Sequence, residues 1–424
     1  MGGVFVAKRV GVGFVGDGFI AHFHAKSWVS VRDGDIVAVT SRVAEKGEEF
    51  ATVCRDLNVG NPAVYTDVRK MVRQTDVDVV YVLAPNYLRV SIIEAIVEEI
   101  RAGRSKVGAI AVEKPLARNV QEAKAIIQLV EGQNLLHGYL ENQVFMPSVT
   151  RGQELIWKRG VPIAGVPYLA RASEEHSGPH RPWFWRGSLQ GGGSLSDLMC
   201  HSVEANRYLL SPPEVKDYLR PVAINASIAS LKWSLPRYAE LLKQNTAGEV
   251  DYTKFAAEDY ASAEIVYETK HGDLVVSQVN TSWSYVGPGL RITFELLGPE
   301  YSLAVNTLEP EAKIFFGREV KGPAGEDLVE KQSAEQGQMP YLGDEAHVYG
   351  YTAENQHMIR SFAKGVMPRE TLHDGLLVIK LLIAAYKSSE MGQVVRFTDD
   401  AFDHIIPLVQ QDKWHPRQLV ERAK

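Results

Sequence analysis

The chain has 424 residues, 45% of them hydrophobic, and a formal net charge of −6. That length exceeds one ordinary core and suits two domains, while the apolar share excludes a disordered chain. The mildly acidic balance, without any lysine–arginine block, argues against nucleic acid or an anionic membrane as partner.

The opening "MGGVFVAKRVGVGFVG" carries no signal-peptide pattern. No window further on is apolar for long enough to span a bilayer, so a cytoplasmic, membrane-free protein is expected. Five short apolar runs then read as strands: 9–16, 35–41, 77–85, 107–115 and 134–141. Helical patterns lie between them, as at 89–103 and 119–132. Strands apolar on both faces, alternating with helices, indicate a parallel sheet covered on both sides.

Two glycine registers fit a dinucleotide fingerprint. "GVGFVG" (11–16) lies inside the first strand, out of reach of any phosphate. "GDGFIA" (16–21) sits where strand meets helix and is the chosen register. Gly16 permits the tight turn, Gly18 lets backbone approach a pyrophosphate, and Ala21 allows close helix packing. Gly16, Asp17, Gly18, Phe19 and Ile20 are therefore expected to line the cofactor, with the helix N-terminus facing the phosphates. The second strand ends in "VTSR", with Ser41 and Arg42 and no acidic residue. Arg42 could hold a 2′-phosphate or stack on adenine, so the cofactor is NAD or NADP.

The motifs "GDGFIA", "APNYLR" (84–89), "VEKPLA" (112–117) and "WFWRGSLQGGGSLSDLMCH" (183–201) occur in this order. Together they resemble the glucose–fructose oxidoreductase, inositol dehydrogenase and rhizopine-catabolism family, from about residue 9 to about residue 396. The resemblance implies α/β plus α+β architecture. An N-terminal Rossmann domain (1–145) would precede a substrate-binding and oligomerisation domain (146–424) with a large, mostly antiparallel sheet. The C-terminal helices could pack back on the first domain. It also implies a homo-oligomer, dimer or tetramer.

Residue by residue, Lys114 matches the lysine of Glu-Lys-Pro, implying contact with the nicotinamide ribose and a substrate hydroxyl. Glu113 beside it reads as structural rather than catalytic, at the cofactor edge. Asp197 and His201 match an Asp-x-x-x-His motif, which makes His201 the acid/base. Trp185 and Arg186, and Pro85 and Asn86, match pairs that touch the cofactor. Arg89 departs from the family pattern, where His is common.

The chemistry also follows from the residue types. Oxidising an alcohol removes a hydride, which the nicotinamide accepts, and a proton, which histidine accepts near neutral pH. A lysine at the same hydroxyl stabilises the alkoxide. Asp197 and His201, four apart, share one helix face. The three glycines before them are read as admitting the cofactor close to backbone. Substrate contacts are expected from Lys114, Arg171, His180, Trp183, Asp197 and His201; Arg171 could equally serve a surface ion pair, and the 174–187 loop could be mere packing. Histidine spacing shows no zinc pattern, and Cys54 and Cys200 lie far apart, so neither a metal nor a disulfide is expected.

Downstream, 237–255 reads as an inserted helix. Strands are expected at 260–269, 272–283 and 291–307, with "KHG" and "GPE" as turns, and core helices at 353–365 and 372–392. The leading reading is an NAD(P)-dependent oxidoreductase acting on a secondary hydroxyl of a sugar, sugar acid, cyclitol or glycoside, with ring carbon 3 as one choice. The resemblance also admits an NAD-dependent, redox-assisted glycoside hydrolase and a non-catalytic dinucleotide-binding sensor.

Overall fold

The computed structural model describes residues 9–309, 312–316, 337–341, 343–398 and 400–416. The chain divides into two compact units. One comprises residues 1–116, 122–145 and 349–375; the other comprises 117–121, 146–348 and 376–424.

The first unit is built on six parallel strands: β1 (Val10–Val15), β2 (Gly34–Thr40), β3 (Ala63–Tyr65), β4 (Val79–Val82), β5 (Ala109–Glu113) and β6 (Leu136–Leu140). Their order is β3-β2-β1-β4-β5-β6, so the winding reverses between β1 and β4, the place where such sheets leave a ligand crevice. The five anticipated strands are present; β3, only three residues long, gave no period to read. Phe14 of β1 stacks on Tyr81 of β4 at 5.6 Å and meets Trp28 edge-on at 5.5 Å, so strand and helix share one aromatic core. The helix Tyr351–Ala363 is part of this unit. Its Asn355 amide lies 3.1 Å from Nδ1 of the buried His24 and donates to Ser27 Oγ at 2.7 Å.

The second unit is built on a seven-stranded sheet from β7 (Leu169–Glu175), β8 (Leu219–Ala229), β9 (Tyr260–Thr269), β10 (Leu274–Ser282), β11 (Arg291–Gly298) and β12 (Tyr301–Asn306), completed by the late two-residue strand Val395–Arg396. All its pairs are antiparallel except β7 with β10. Separately, Ala312–Phe316 pairs antiparallel with Gly337–Tyr341. The β9 side chains alternate between buried and more exposed, as one covered face requires. The covering element is the helix Ser194–Leu210, which lies against β7 and β10. The strand at 395–396 is too short to finish the β8 edge. The hydroxyls of Ser388 and Ser389 accept the N–H groups of Ala226 and Ile228 there instead, at 3.0 and 3.1 Å. The expected 237–255 helix covers only Pro236–Asn245, where a proline at the first turn starts it. Among the described residues no helix is long and apolar enough to cross a membrane.

Candidate functional site

In the first unit, β1 delivers the chain to the helix Phe19–Trp28 through the glycine turn. Gly16 has φ of 118° and a Cβ there would lie 3.1 Å from the Leu83 carbonyl oxygen, so glycine is required by both backbone and space. Gly18 is the residue before the helix; no side chain caps it, and a Cβ on it would meet nothing within 4 Å. A bare helix N-terminus beside open space fits the pyrophosphate of a dinucleotide, because its N–H groups and dipole favour an anion.

Asp17 accepts a hydrogen bond from the Ser41 hydroxyl at 2.7 Å, and that hydroxyl also lies 2.8 Å from the Val43 carbonyl. Ser41 is therefore occupied in holding the turn, whereas Arg42 is exposed, Phe19 is 46% exposed and Ile20 is half-buried. Pro85 is half-buried and leads a short 3-10 turn, Asn86–Leu88, in which Asn86 is buried.

Lys114 follows the end of β5, at a cis Lys114–Pro115 peptide. Nothing in the sequence pattern shows what holds this loop. Arg89 is 4% exposed, and its guanidinium donates to the carbonyls of Ala84 (3.0 Å), Glu113 (2.5 Å) and Lys114 (3.2 Å), and to that of Pro115. The planar fork of arginine can gather several carbonyls in this way and a lysine cannot. The Glu113 carboxylate lies 3.0 Å from His24 Nε2 and accepts the Lys114 backbone N–H at 2.8 Å. Burial opposes its charge, but the His24 hydrogen bond and the nearby Lys114 and Arg89 charges outweigh that, so its pKa falls below the usual carboxylate value.

In the second unit, Asp197 and His201 are both buried on the helix Ser194–Leu210. Trp283 Nε1 donates to Asp197 Oδ2 at 3.2 Å, which fixes that carboxylate. The triple glycine is closely packed within this unit. A Cβ on Gly192 would lie 1.8 Å from the Tyr386 hydroxyl, and one on Gly193 would lie 2.1 Å from the Glu258 carbonyl oxygen. Gly191 adopts φ of 104° and would clash with Arg118. These glycines make room for the protein's own buried side chains and backbone.

Arg171 and Trp185 both have partners within the second unit. Arg171 is exposed, and its guanidinium pairs with Gln278 (3.0 Å) and Glu295 (3.3 Å) on neighbouring strands. It points to the sheet face opposite the buried Ala170 and Ala172, so strand alternation carries it away from the Asp197 helix. Trp185 is 3% exposed; its indole N–H donates to the Pro179 carbonyl at 3.0 Å, and its ring packs edge-on against Trp233, Tyr252 and Trp283. Its polar edge is thus used inside the unit. Arg186 is half-buried with its guanidinium 5.7 Å from the Phe255 ring, Trp183 stacks on Phe184 at 3.8 Å, and His180 is exposed.

Glu131, His137 and His373 bring three potential ligand atoms within 4.8 Å of one another. However, His137 Nδ1 accepts the Leu372 N–H at 3.2 Å, which leaves the ring proton on Nε2, facing Glu131 at 3.4 Å. A metal would need that lone pair, and ligating histidines donate through their other nitrogen. In the same cluster His373 Nε2 lies 2.7 Å from Glu131 Oε1.

A glycine turn on a bare helix N-terminus, at the reversal point of a parallel sheet, defines a dinucleotide-binding protein. The chain belongs to the glucose–fructose oxidoreductase, inositol dehydrogenase and rhizopine-catabolism family: residues 10–139 match its NAD-binding Rossmann fold and residues 172–397 its C-terminal alpha/beta domain. It is an NAD-binding oxidoreductase. Levoglucosan dehydrogenase of Pseudarthrobacter phenanthrenivorans is 26% identical over 311 residues, 70% of this chain and 74% of that protein. D-glucoside 3-dehydrogenase of Escherichia coli is 27% identical over 215 residues, 48% and 55% of the two chains. Among solved structures, GenD2 from gentamicin A biosynthesis, in complex with NAD, has a TM-score of 0.73 at 24% identity, covering 94% of this chain and 99% of that one. The levoglucosan dehydrogenase complex with NADH and levoglucosan has a TM-score of 0.66 at 21% identity, covering 92% and 99%.

Proposed function

We propose that this protein oxidises a secondary hydroxyl of a sugar, cyclitol or glycoside, with His201 as acid/base and Lys114 stabilising the alkoxide. The observation that carries the reading is the helix Ser194–Leu210, which buries Asp197 and His201 four residues apart and ties Asp197 to Trp283. The relatives named above are dehydrogenases of levoglucosan and of D-glucosides, which supports a pyranose-like substrate.

The dinucleotide, when bound, supplies the hydride acceptor. Gly16, Asp17 and Gly18 would hold its phosphates at the first helix, with Pro85, Asn86 and the 113–114 segment at its other end. His201 takes the hydroxyl proton, and the i, i+4 spacing lets Asp197 orient the imidazole or hold a neighbouring hydroxyl. The Lys114 ammonium stabilises negative charge as it develops on oxygen, and Arg89 keeps the Lys114 loop in place through its carbonyls.

The test is absorbance at 340 nm with NAD and then NADP against levoglucosan, methyl glucosides, myo-inositol and free sugars. Growth with a pyranose or cyclitol is expected. His201→Ala should retain NADH binding and lose about a hundredfold or more in turnover. Unchanged turnover in that variant would remove the acid/base assignment. Glycoside cleavage without net NADH would point to the hydrolase reading instead.

A further inference from the structure

We infer that Glu258 is a positioning residue for the acid/base helix, an inference that rests on the proposed roles of Asp197 and His201. The helix Ser194–Leu210 has no side-chain cap of its own. Its first four N–H groups, from Gly193 to Ser196, have no partner within the helix, since the first internal bond runs from Asp197 N–H to the Gly193 carbonyl at 3.0 Å.

Two residues distant in sequence meet three of these groups, on Gly193, Ser194 and Leu195. Glu258 Oε1 accepts Gly193 N–H at 2.9 Å and Leu195 N–H at 3.0 Å, while the main-chain carbonyl of Glu258 accepts Ser194 N–H at 2.9 Å. Tyr386 Oη donates to the same Oε1 at 2.6 Å and lies 3.3 Å from Gly193 N. Glu258 is fully buried, and its carboxylate sits at the positive end of the helix dipole.

The neighbouring residue extends the arrangement. The Asp259 carbonyl accepts Trp283 N–H at 2.8 Å, and the Trp283 indole holds Asp197. The dipeptide 258–259 thus locates the start of the helix and, through Trp283, the Asp197 carboxylate. A group that must meet a reacting atom tolerates displacements of only about 0.5 Å, so the anchor bears directly on turnover. It also accounts for Gly192 and Gly193, whose Cβ positions Tyr386 and Glu258 occupy.

The experiment compares Glu258→Ala, Glu258→Gln and His201→Ala with the wild-type chain. Hydrogen exchange is followed over residues 191–201, and turnover is measured with NAD on the sugar panel above. Glu258→Ala should speed exchange of the 193–196 amides about tenfold or more and lower kcat about tenfold, with KM and NADH affinity within about twofold. Glu258→Gln keeps an acceptor at Oε1 and should return exchange and kcat to within about threefold of wild type. If Glu258→Ala does not fold, Tyr386→Phe is read over the same peptide and should show a smaller rise in exchange. Unchanged exchange in the variant read overturns the anchoring. Faster exchange with normal kcat, while His201→Ala is inactive, overturns the positioning role. An active His201→Ala overturns the acid/base reading instead and leaves the exchange result to decide the anchor.

Discussion

Gly192→Ala separates two explanations of the triple glycine. The added Cβ would lie 1.8 Å from Tyr386 Oη and 2.6 Å from its Cζ. Ordinary contact begins at about 3.5 Å, so the pair must open by roughly 1.5 Å. Tyr386 is 1% exposed and cannot swing into solvent, and moving it breaks the 2.6 Å bond to Glu258. Overpacking combined with a stranded buried acceptor should cost about 4 kcal/mol. That corresponds to a fall of roughly 10 °C in melting temperature. Scanning calorimetry and NADH fluorescence titration read the two properties apart. The double variant Gly192→Ala/Tyr386→Phe should recover part of the loss, because Oη is gone and Cζ remains. Gly18→Ala is the counterpart: its Cβ meets open space, so it should melt within about 1 °C of wild type and bind NADH at least about tenfold more weakly. If Gly192→Ala melts like the wild type and loses only cofactor affinity, the packing explanation fails and the glycines do cradle the dinucleotide.

Arg89→Met strips the carbonyls of Ala84, Glu113, Lys114 and Pro115 of their shared donor and should destabilise by about 3 kcal/mol, seen as a lower guanidinium midpoint. Arg89→Lys should recover less than half, and an unshifted midpoint in Arg89→Met would show that the loop holds without the clamp. Burial pushes the Glu258 carboxyl from 4.5 up to about 7. The folded chain therefore keeps a proton that the unfolded chain has released across this range. The contribution is full below about pH 4.5 and is lost as pH rises to about 7, on the order of 3 kcal/mol. Denaturant titrations from pH 4.5 to 8 should show this slope shrink in Glu258→Gln, and an identical slope would contradict the assignment.

The amino-acid sequence alone determined the parallel sheet, because each of its longer strands is a short apolar run between helical periods. It also determined the glycine register. Gly11 and Gly13 of "GVGFVG" lie within β1, where a Cβ on Gly11 would meet the Asp76 carbonyl oxygen at 1.8 Å. Asp197 and His201 were legible because an i, i+4 pair on a helix is a local property.

Only the tertiary structure decided the rest. Glu258 and Tyr386 reach Gly193 from 65 and 193 positions away, Arg171 finds Glu295 across 124, and residues 349–375 return to the first unit. Arg89 stood out only as an unusual residue in its motif, and nothing local showed that it would gather four carbonyls. Periodicity records which face a residue takes on its own element. It does not record which distant element that face will meet, and so a run of glycines before a helix reads the same whether it makes room for a cofactor or for a buried tyrosine and glutamate.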